Sequence, residues 1–169
     1  MVLMKQEFSW LPSSDSGISM HWVEANGLRF EVAEAGKGDR LALCLHGFPE
    51  LHYSWRHQMP MLAQMGYRVW APNMRGYGKT TRPQEVEAYR LHTLADDVGA
   101  LIDASGAKEV TLIAHDWGAL VAWHFAIRKV RPLAKALSGF DASLTGRKAF
   151  QAKTRENLPT TSFQQTPIP

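Results

Sequence analysis

Apolar and polar positions alternate between two periods along residues 18–131, and each switch of period marks a new element. Leu28, Phe30 and Val32 fall on one side of residues 28–33, with Arg29 and Glu31 on the other, the two-residue period of a half-buried strand. Residues 20–25 precede it, and Asn26-Gly27 between the two runs predicts a tight hairpin. Residues 41–45, Leu-Ala-Leu-Cys-Leu, show no alternation, which predicts a strand buried on both faces. Trp55, Met59, Leu62 and Ala63 then recur at helical spacing, and Gly66 closes that helix. Residues 67–71 read as another strand, stopped by Pro72. Leu94, Val98, Leu101 and Ile102 predict an amphipathic helix over residues 91–104, with Asp96, Asp97 and Asp103 on its solvated side. Residues 109–115 form a last apolar, β-branched run, and a helical pattern starts immediately after it and ends in Arg128-Lys129, cations that complement the helix dipole.

A hairpin followed by strand, helix, strand, helix, strand and helix predicts an α/β fold with an open, mainly parallel sheet. Residues 1–17 read as a surface arm, residues 18–134 as the core, and residues 135–169 as a divergent, poorly ordered tail. The 169 residues allow at most one domain. The net charge of +3 sits in the tail: residues 1–131 carry 14 Lys+Arg against 14 Asp+Glu, and residues 132–169 carry 5 against 2. A neutral core argues against a nucleic-acid surface. The single cysteine, Cys44, excludes a disulfide framework and favours a reducing compartment. With no signal-peptide pattern and no run near the ~20 apolar residues of a membrane span, the expectation is a cytoplasmic protein without membrane contact.

The chemistry concentrates at two strand ends. Asp116 stands where strand gives way to helix, with small residues Ala114, Gly118 and Ala119 around it. A turn that sharp pushes its apical residue out at the carboxyl end of a strand, where open α/β sheets place ligands. An N-cap reads equally well from this stretch alone. His46-Gly-Phe-Pro-Glu50 ends the other buried strand. If the two strands are neighbours, the amides of Phe48 and Trp117 converge beside Asp116 and form an oxyanion hole for a carboxylate nucleophile. The Gly-rich stretch Arg75-Gly-Tyr-Gly-Lys79 fits neither a Walker loop nor a dinucleotide fingerprint. No His or Cys spacing suggests a metal. Of the histidines, His21, His52, His57 and His92 read as surface or structural, and His124 as a packed core residue.

Together, His46-Gly-Phe-Pro-Glu50, Tyr53-Ser-Trp-Arg56, Arg75-Gly-Tyr-Gly-Lys79 and His115-Asp-Trp-Gly-Ala119 resemble the soluble-type epoxide hydrolases of the α/β-hydrolase fold, over about residues 21–131. The resemblance implies Asp116 as nucleophile, Phe48 and Trp117 as oxyanion-hole amides, and His46, Gly47, Pro49 and Trp117 lining the substrate site. It implies a small-molecule epoxide substrate, a covalent alkyl-enzyme ester and a vicinal diol product, with no cofactor and no metal. Serine esterases carry Ser where Asp116 stands. Haloalkane dehalogenases commonly carry Asn where Phe48 stands, and fluoroacetate dehalogenases commonly carry Arg where Trp117 stands; both remain the alternatives. Ala114 replaces an expected Gly, and Asn73 an expected Asp.

Past Lys135 the resemblance stops. The family continues with a further buried strand, a cap bearing two tyrosines, and strands delivering an acid and a catalytic His, whereas residues 136–169 run into a Thr/Gln/Pro-rich end. The expectation is therefore a partial α/β-hydrolase fold without cap domain or C-terminal strands, resembling a frameshifted, alternatively spliced or misassembled gene end. Such a chain would be inactive alone, a non-catalytic fragment or interaction module. It would also leave residues 110–114 as an unpaired apolar edge prone to self-association.

Overall fold

The computed structural model describes residues 17–128 and the backbone of a strand at residues 135–139. The hairpin consists of β1 (Ile18–Ala25) and β2 (Leu28–Ala35), paired antiparallel from Ile18↔Ala35 to Ala25↔Leu28. Asn26 and Gly27 take φ of 47° and 71°, the left-handed pair of a type I′ turn. β3 (Arg40–Leu45) is buried from Leu41 onward. A 3₁₀ turn (His52–Trp55) and α1 (Gln58–Gln64) divide what the spacing predicts as one helix. β4 (Arg68–Pro72), α2 (Leu91–Ser105), β5 (Glu109–His115) and α3 (Asp116–Arg128) follow.

The sheet order is β1-β2-β4-β3-β5-β6, where β6 is Lys135–Gly139. β3 lies at its centre and separates two apolar layers. Leu41, Leu43 and Leu45 pack with Val98 and Leu101 of α2 and with Val121 and Phe125 of α3. Ala42 and Cys44 point the other way, toward Met59 of α1 and Val69 and Ala71 of β4. This is why residues 41–45 cannot alternate. The chain leaves β3 toward β4 on one side and returns through α2 to β5 on the other. The carboxyl ends of β3 and β5 thus flank the point where the winding reverses, the crevice in which open α/β sheets place ligands.

Two expectations are corrected. β5 is not an unpaired edge: β6 runs parallel to it from Thr111↔Lys135 to His115↔Gly139. Ser138 and Gly139 are poor strand formers, but strand propensity follows context more than composition, and β5 offers an open row of backbone donors and acceptors. The sheet therefore extends five residues beyond 134. The rest of the expected tail (140–169) and the arm at residues 1–16 lie outside the described residues.

The second correction concerns Asp97, which is buried rather than solvated. Arg75 holds it in a two-pronged ion pair, Nε to Oδ2 at 2.7 Å and Nη2 to Oδ1 at 2.6 Å, and Asn26 Nδ2 donates to Oδ1 at 2.6 Å. Hairpin turn, Gly-rich loop and α2 meet at this one carboxylate. Asp96 does lie near the surface, paired with Arg128 at 3.1 Å. Asp97→Asn keeps the side-chain volume but leaves a buried guanidinium without its counter-charge. The expected loss is about 3–5 kcal/mol of unfolding free energy, read from urea denaturation of wild type and variant.

Candidate active site

β5 passes into α3 with no intervening residue, and Asp116 takes the bend with φ of 50°. A left-handed backbone at a residue other than glycine costs of order 1–3 kcal/mol and persists only where the surroundings enforce it. Here they do. A Cβ on Gly118 would stand 2.5 Å from the carbonyl oxygens of Leu45 and His46, so glycine lets the first turn of α3 close on the end of β3. A Cβ on Gly47 would stand 2.6 Å from Asp116 Cβ, so the loop after β3 passes against the carboxylate only because Gly47 has no side chain.

The Phe48 amide donates to Asp116 Oδ1 at 2.8 Å, across 68 residues of sequence. This resolves the N-cap alternative. A capping side chain has an extended backbone and takes an amide of its own helix. Asp116 is left-handed and takes one from the neighbouring strand's loop. Trp117 follows at the next position of α3, so its amide is one of the helix's N-terminal donors without an intrahelical acceptor, and its indole is half exposed.

The 46–50 loop is fastened from several directions. The peptide between Phe48 and Pro49 is cis. Glu50 donates its amide to the Gly47 carbonyl at 3.0 Å, while its carboxylate accepts from the Gly47 amide at 3.3 Å and lies 3.5 Å from His115 Nδ1. His46 is 1 % exposed, and its Nε2 accepts from the Met74 amide at 3.0 Å. An amide can only donate, so Nδ1 carries the proton and donates to the Gly47 carbonyl at 2.9 Å. Burial pushes the His46 imidazole below its usual pKa. The Tyr77 ring stands edge-on to it with centroids 4.8 Å apart. Burial, and then the charge of Asp116, raise the Tyr77 phenol, which keeps its proton at neutral pH.

A cavity of about 410 Å³ opens beside Asp116, lined by His46, Gly47, Phe48 and Trp117 from the two strand ends and by Tyr77 and Leu94 among others. Its walls are mostly apolar. Among the described residues that line it, Arg75 alone carries a formal charge, and its guanidinium is committed to Asp97. Of the residues expected at the site, His46, Gly47, Phe48 and Trp117 line this cavity, Asp116 is bonded to the Phe48 amide behind that lining, and Pro49 is next in the loop. Glu50, to which the resemblance assigns no role, bonds back to Gly47 through both its amide and its carboxylate. Asn73, a departure from the family pattern, joins the loops: Oδ1 accepts from the His52 amide at 2.8 Å and Nδ2 donates to Glu31 at 2.7 Å. An aspartate could not make that second bond. Cys44 is fully buried, and burial pushes its thiol up to about 12, so it offers no nucleophile. No helix of the described residues is long and apolar enough to cross a membrane, and no group of three or more His, Cys, Asp or Glu among them could hold a metal ion.

Residues 43–138 match the family model of the alpha/beta hydrolase fold, a span that runs from β3 through β6. The chain belongs to the α/β-hydrolase fold family. It falls among the epoxide hydrolase-like members. It is 50 % identical to epoxide hydrolase A of Mycobacterium tuberculosis over 103 residues, which are 60 % of this chain and 32 % of that protein. It is 46 % identical to epoxide hydrolase 2 of Siraitia grosvenorii over 105 residues, 62 % of this chain and 33 % of the relative. The crystal structure of an epoxide hydrolase from Vigna radiata superposes with a TM-score of 0.70 at 44 % identity, covering 74 % of this chain and 41 % of that one. The α/β-hydrolase described here thus spans about a third of the length of the curated relatives it matches.

The neutral state of His46 sets a pH dependence for this α/β-hydrolase. With its folded pKa below the unfolded value, the unfolded chain takes the proton first as pH falls. The His46 contribution is complete above about pH 6.5 and drains as pH drops from there toward the lowered folded value. Urea midpoints measured at pH 7.5 and pH 5.5 should fall with acid, and the fall should be smaller in His46→Asn.

Proposed function

We propose that this chain carries the nucleophile and oxyanion hole of an epoxide hydrolase. The observation that supports it best is the 2.8 Å bond from the Phe48 amide to Asp116 Oδ1, at a strained elbow beside an apolar cavity. In the first step a carboxylate oxygen of Asp116 attacks a ring carbon of the epoxide. A C–O ester bond forms, the carbon's bond to the ring oxygen breaks, and that oxygen leaves with the electron pair and takes a proton from solvent or a nearby acid. In the second step water adds to the ester carbonyl carbon. The water gives up a proton, the carbonyl oxygen becomes negative and the amides of Phe48 and Trp117 stabilise it; collapse then breaks the bond to the alkyl oxygen, which takes a proton and leaves as the diol while the carboxylate is restored. Removing one such donor typically costs about 10²–10³ in rate.

Several features favour an epoxide over the halogenated alternatives. The curated relatives named above are epoxide hydrolases. The side chain of Phe48 offers no donor for a departing halide, and Trp117 offers no charge for a carboxylate substrate. In a preparation of residues 1–169 alone, where no His follows His124, the ester is expected to accumulate to a detectable level.

Purified chain incubated with styrene oxide should acquire one alkyl group, located at Asp116 by peptide mass spectrometry. Asp116→Asn should lower labelling by more than about 10²-fold. Absence of any Asp116 adduct with small and large epoxides alike would sink this reading and leave an inert fragment. Adducts from haloalkanes but not epoxides would transfer it to the dehalogenases.

A further inference from the structure

The donor aimed at Asp116 belongs to one peptide unit, the Gly47 carbonyl joined to the Phe48 amide. Within a planar trans peptide the carbonyl and the N–H point in opposite directions, so whatever fixes the one aims the other. The carbonyl is gripped twice, by His46 Nδ1 at 2.9 Å and by the Glu50 amide at 3.0 Å. The amide at the other end reaches Asp116 Oδ1 at 2.8 Å. Gly47 has no side chain to restrict its rotation, so this orientation needs an external grip. His46 can supply it only as the Nδ1–H tautomer, and the Met74 amide at 3.0 Å from Nε2 selects that tautomer.

We infer that His46 is a positioning residue: it fixes the Gly47–Phe48 peptide so that the Phe48 amide points at Asp116. The inference rests on the proposed role of Asp116 and deepens it. His46 contributes without a bond of its own to substrate, although its ring lines the cavity, because both ring nitrogens are already engaged. The chain of bonds runs from Met74 through the imidazole and the peptide to the carboxylate. Donating to the carbonyl also polarises the peptide, which makes its N–H a better donor. The loop after β4 thereby bears on the hole after β3 without touching the reacting atoms.

Two substitutions separate the donor from the acceptor of the ring. Asn places an amide nitrogen where His46 has Nδ1 and keeps the bond to Gly47, while Gln places its amide near Nε2 and keeps only the partner of Met74. The readouts are the proton shift of the Phe48 amide in ¹⁵N-labelled protein, the rate of Asp116 alkylation by styrene oxide, and the urea midpoint. His46→Asn should leave the amide shift near wild type and alkylation within about threefold. His46→Gln should move the amide shift in the direction that Asp116→Asn moves it, and slow alkylation about 10-fold or more, the scale on which misplaced groups cost rate. Equal loss in both variants, in step with their urea midpoints, would reduce His46 to a packing role and overturn the inference. So would wild-type behaviour of His46→Gln. Should neither variant fold, the ¹⁵N shifts of the wild-type imidazole decide: Nδ1 protonated supports the inference, Nε2 protonated overturns it. If the wild type gives no Asp116 adduct, the proposed function fails, while the amide shifts still report whether His46 aims the peptide.

Discussion

The carboxyl ends of β3 and β5 approach each other as closely as backbone allows, and the site depends on that approach. Parallel pairing brings the two strands to the same level, with Leu45 opposite Ala114. Beyond that pair the chains must part, one toward α1 and the other into α3, on opposite faces of the sheet. Glycine at 47 and 118 is what lets them turn without separating. The consequence is a carboxylate with a left-handed backbone, held within hydrogen-bond reach of an amide from the neighbouring strand. Strain at Asp116, of order 1–3 kcal/mol, is sustained by the packing of α3 and by that bond. The register of two strands is thereby converted into the aim of one oxygen atom.

The loops around this point are tied by buried polar groups rather than by apolar contact. Asp97 gathers Arg75 and Asn26, and Asn73 gathers His52 and Glu31. Thr80 adds a further tie, with Oγ1 donating to the Asn73 carbonyl and accepting from the Glu31 amide. A buried ion pair gains little over an apolar pair of the same volume, because desolvation consumes most of the attraction. Its directional bonds do exclude alternative loop placements, since each would strand a charge or an amide. The Gly-rich stretch, which has no regular structure to hold it, is located in this way against the floor of the cavity.

Much of this was legible in the sequence because the physics involved is local. Asn26-Gly27 specifies its own turn, and the lack of alternation in residues 41–45 states that both faces are covered. Small residues around Asp116 mark a sharp bend. The pairing of the two motifs needed one assumption, that β3 and β5 are neighbours, and the sheet order satisfies it. The charge of Asp97 predicts a solvated side chain, yet Leu94, Asp97, Val98 and Leu101 share one helical stripe. Position outweighed polarity there, and the position was visible. β6 was missed for a different reason. Its residues carry a weak strand signal, and what holds them is the open edge of β5, a property of the partner that no window on residues 135–139 contains. The tautomer of His46 was equally out of reach, since it is set by Met74, 28 residues away.

The same amide would have opposite effects in the two half-reactions. In the proposed first step, its bond to Asp116 Oδ1 would restrain the attack it orients. After reaction, the acceptor is an ester carbonyl, a weaker acceptor than either the carboxylate or the oxyanion that follows. In that reaction the amide would gain most as charge develops on that oxygen, which is the condition for accelerating ester hydrolysis rather than merely binding the ester. A stronger charge at the hole would upset this balance by holding the carboxylate too firmly. Neutral donors avoid that. In the proposed reaction the uncharged His46 imidazole behind the peptide would pass on polarisation rather than a full positive charge, which would reconcile attack by one carboxylate oxygen with stabilisation of charge on the other.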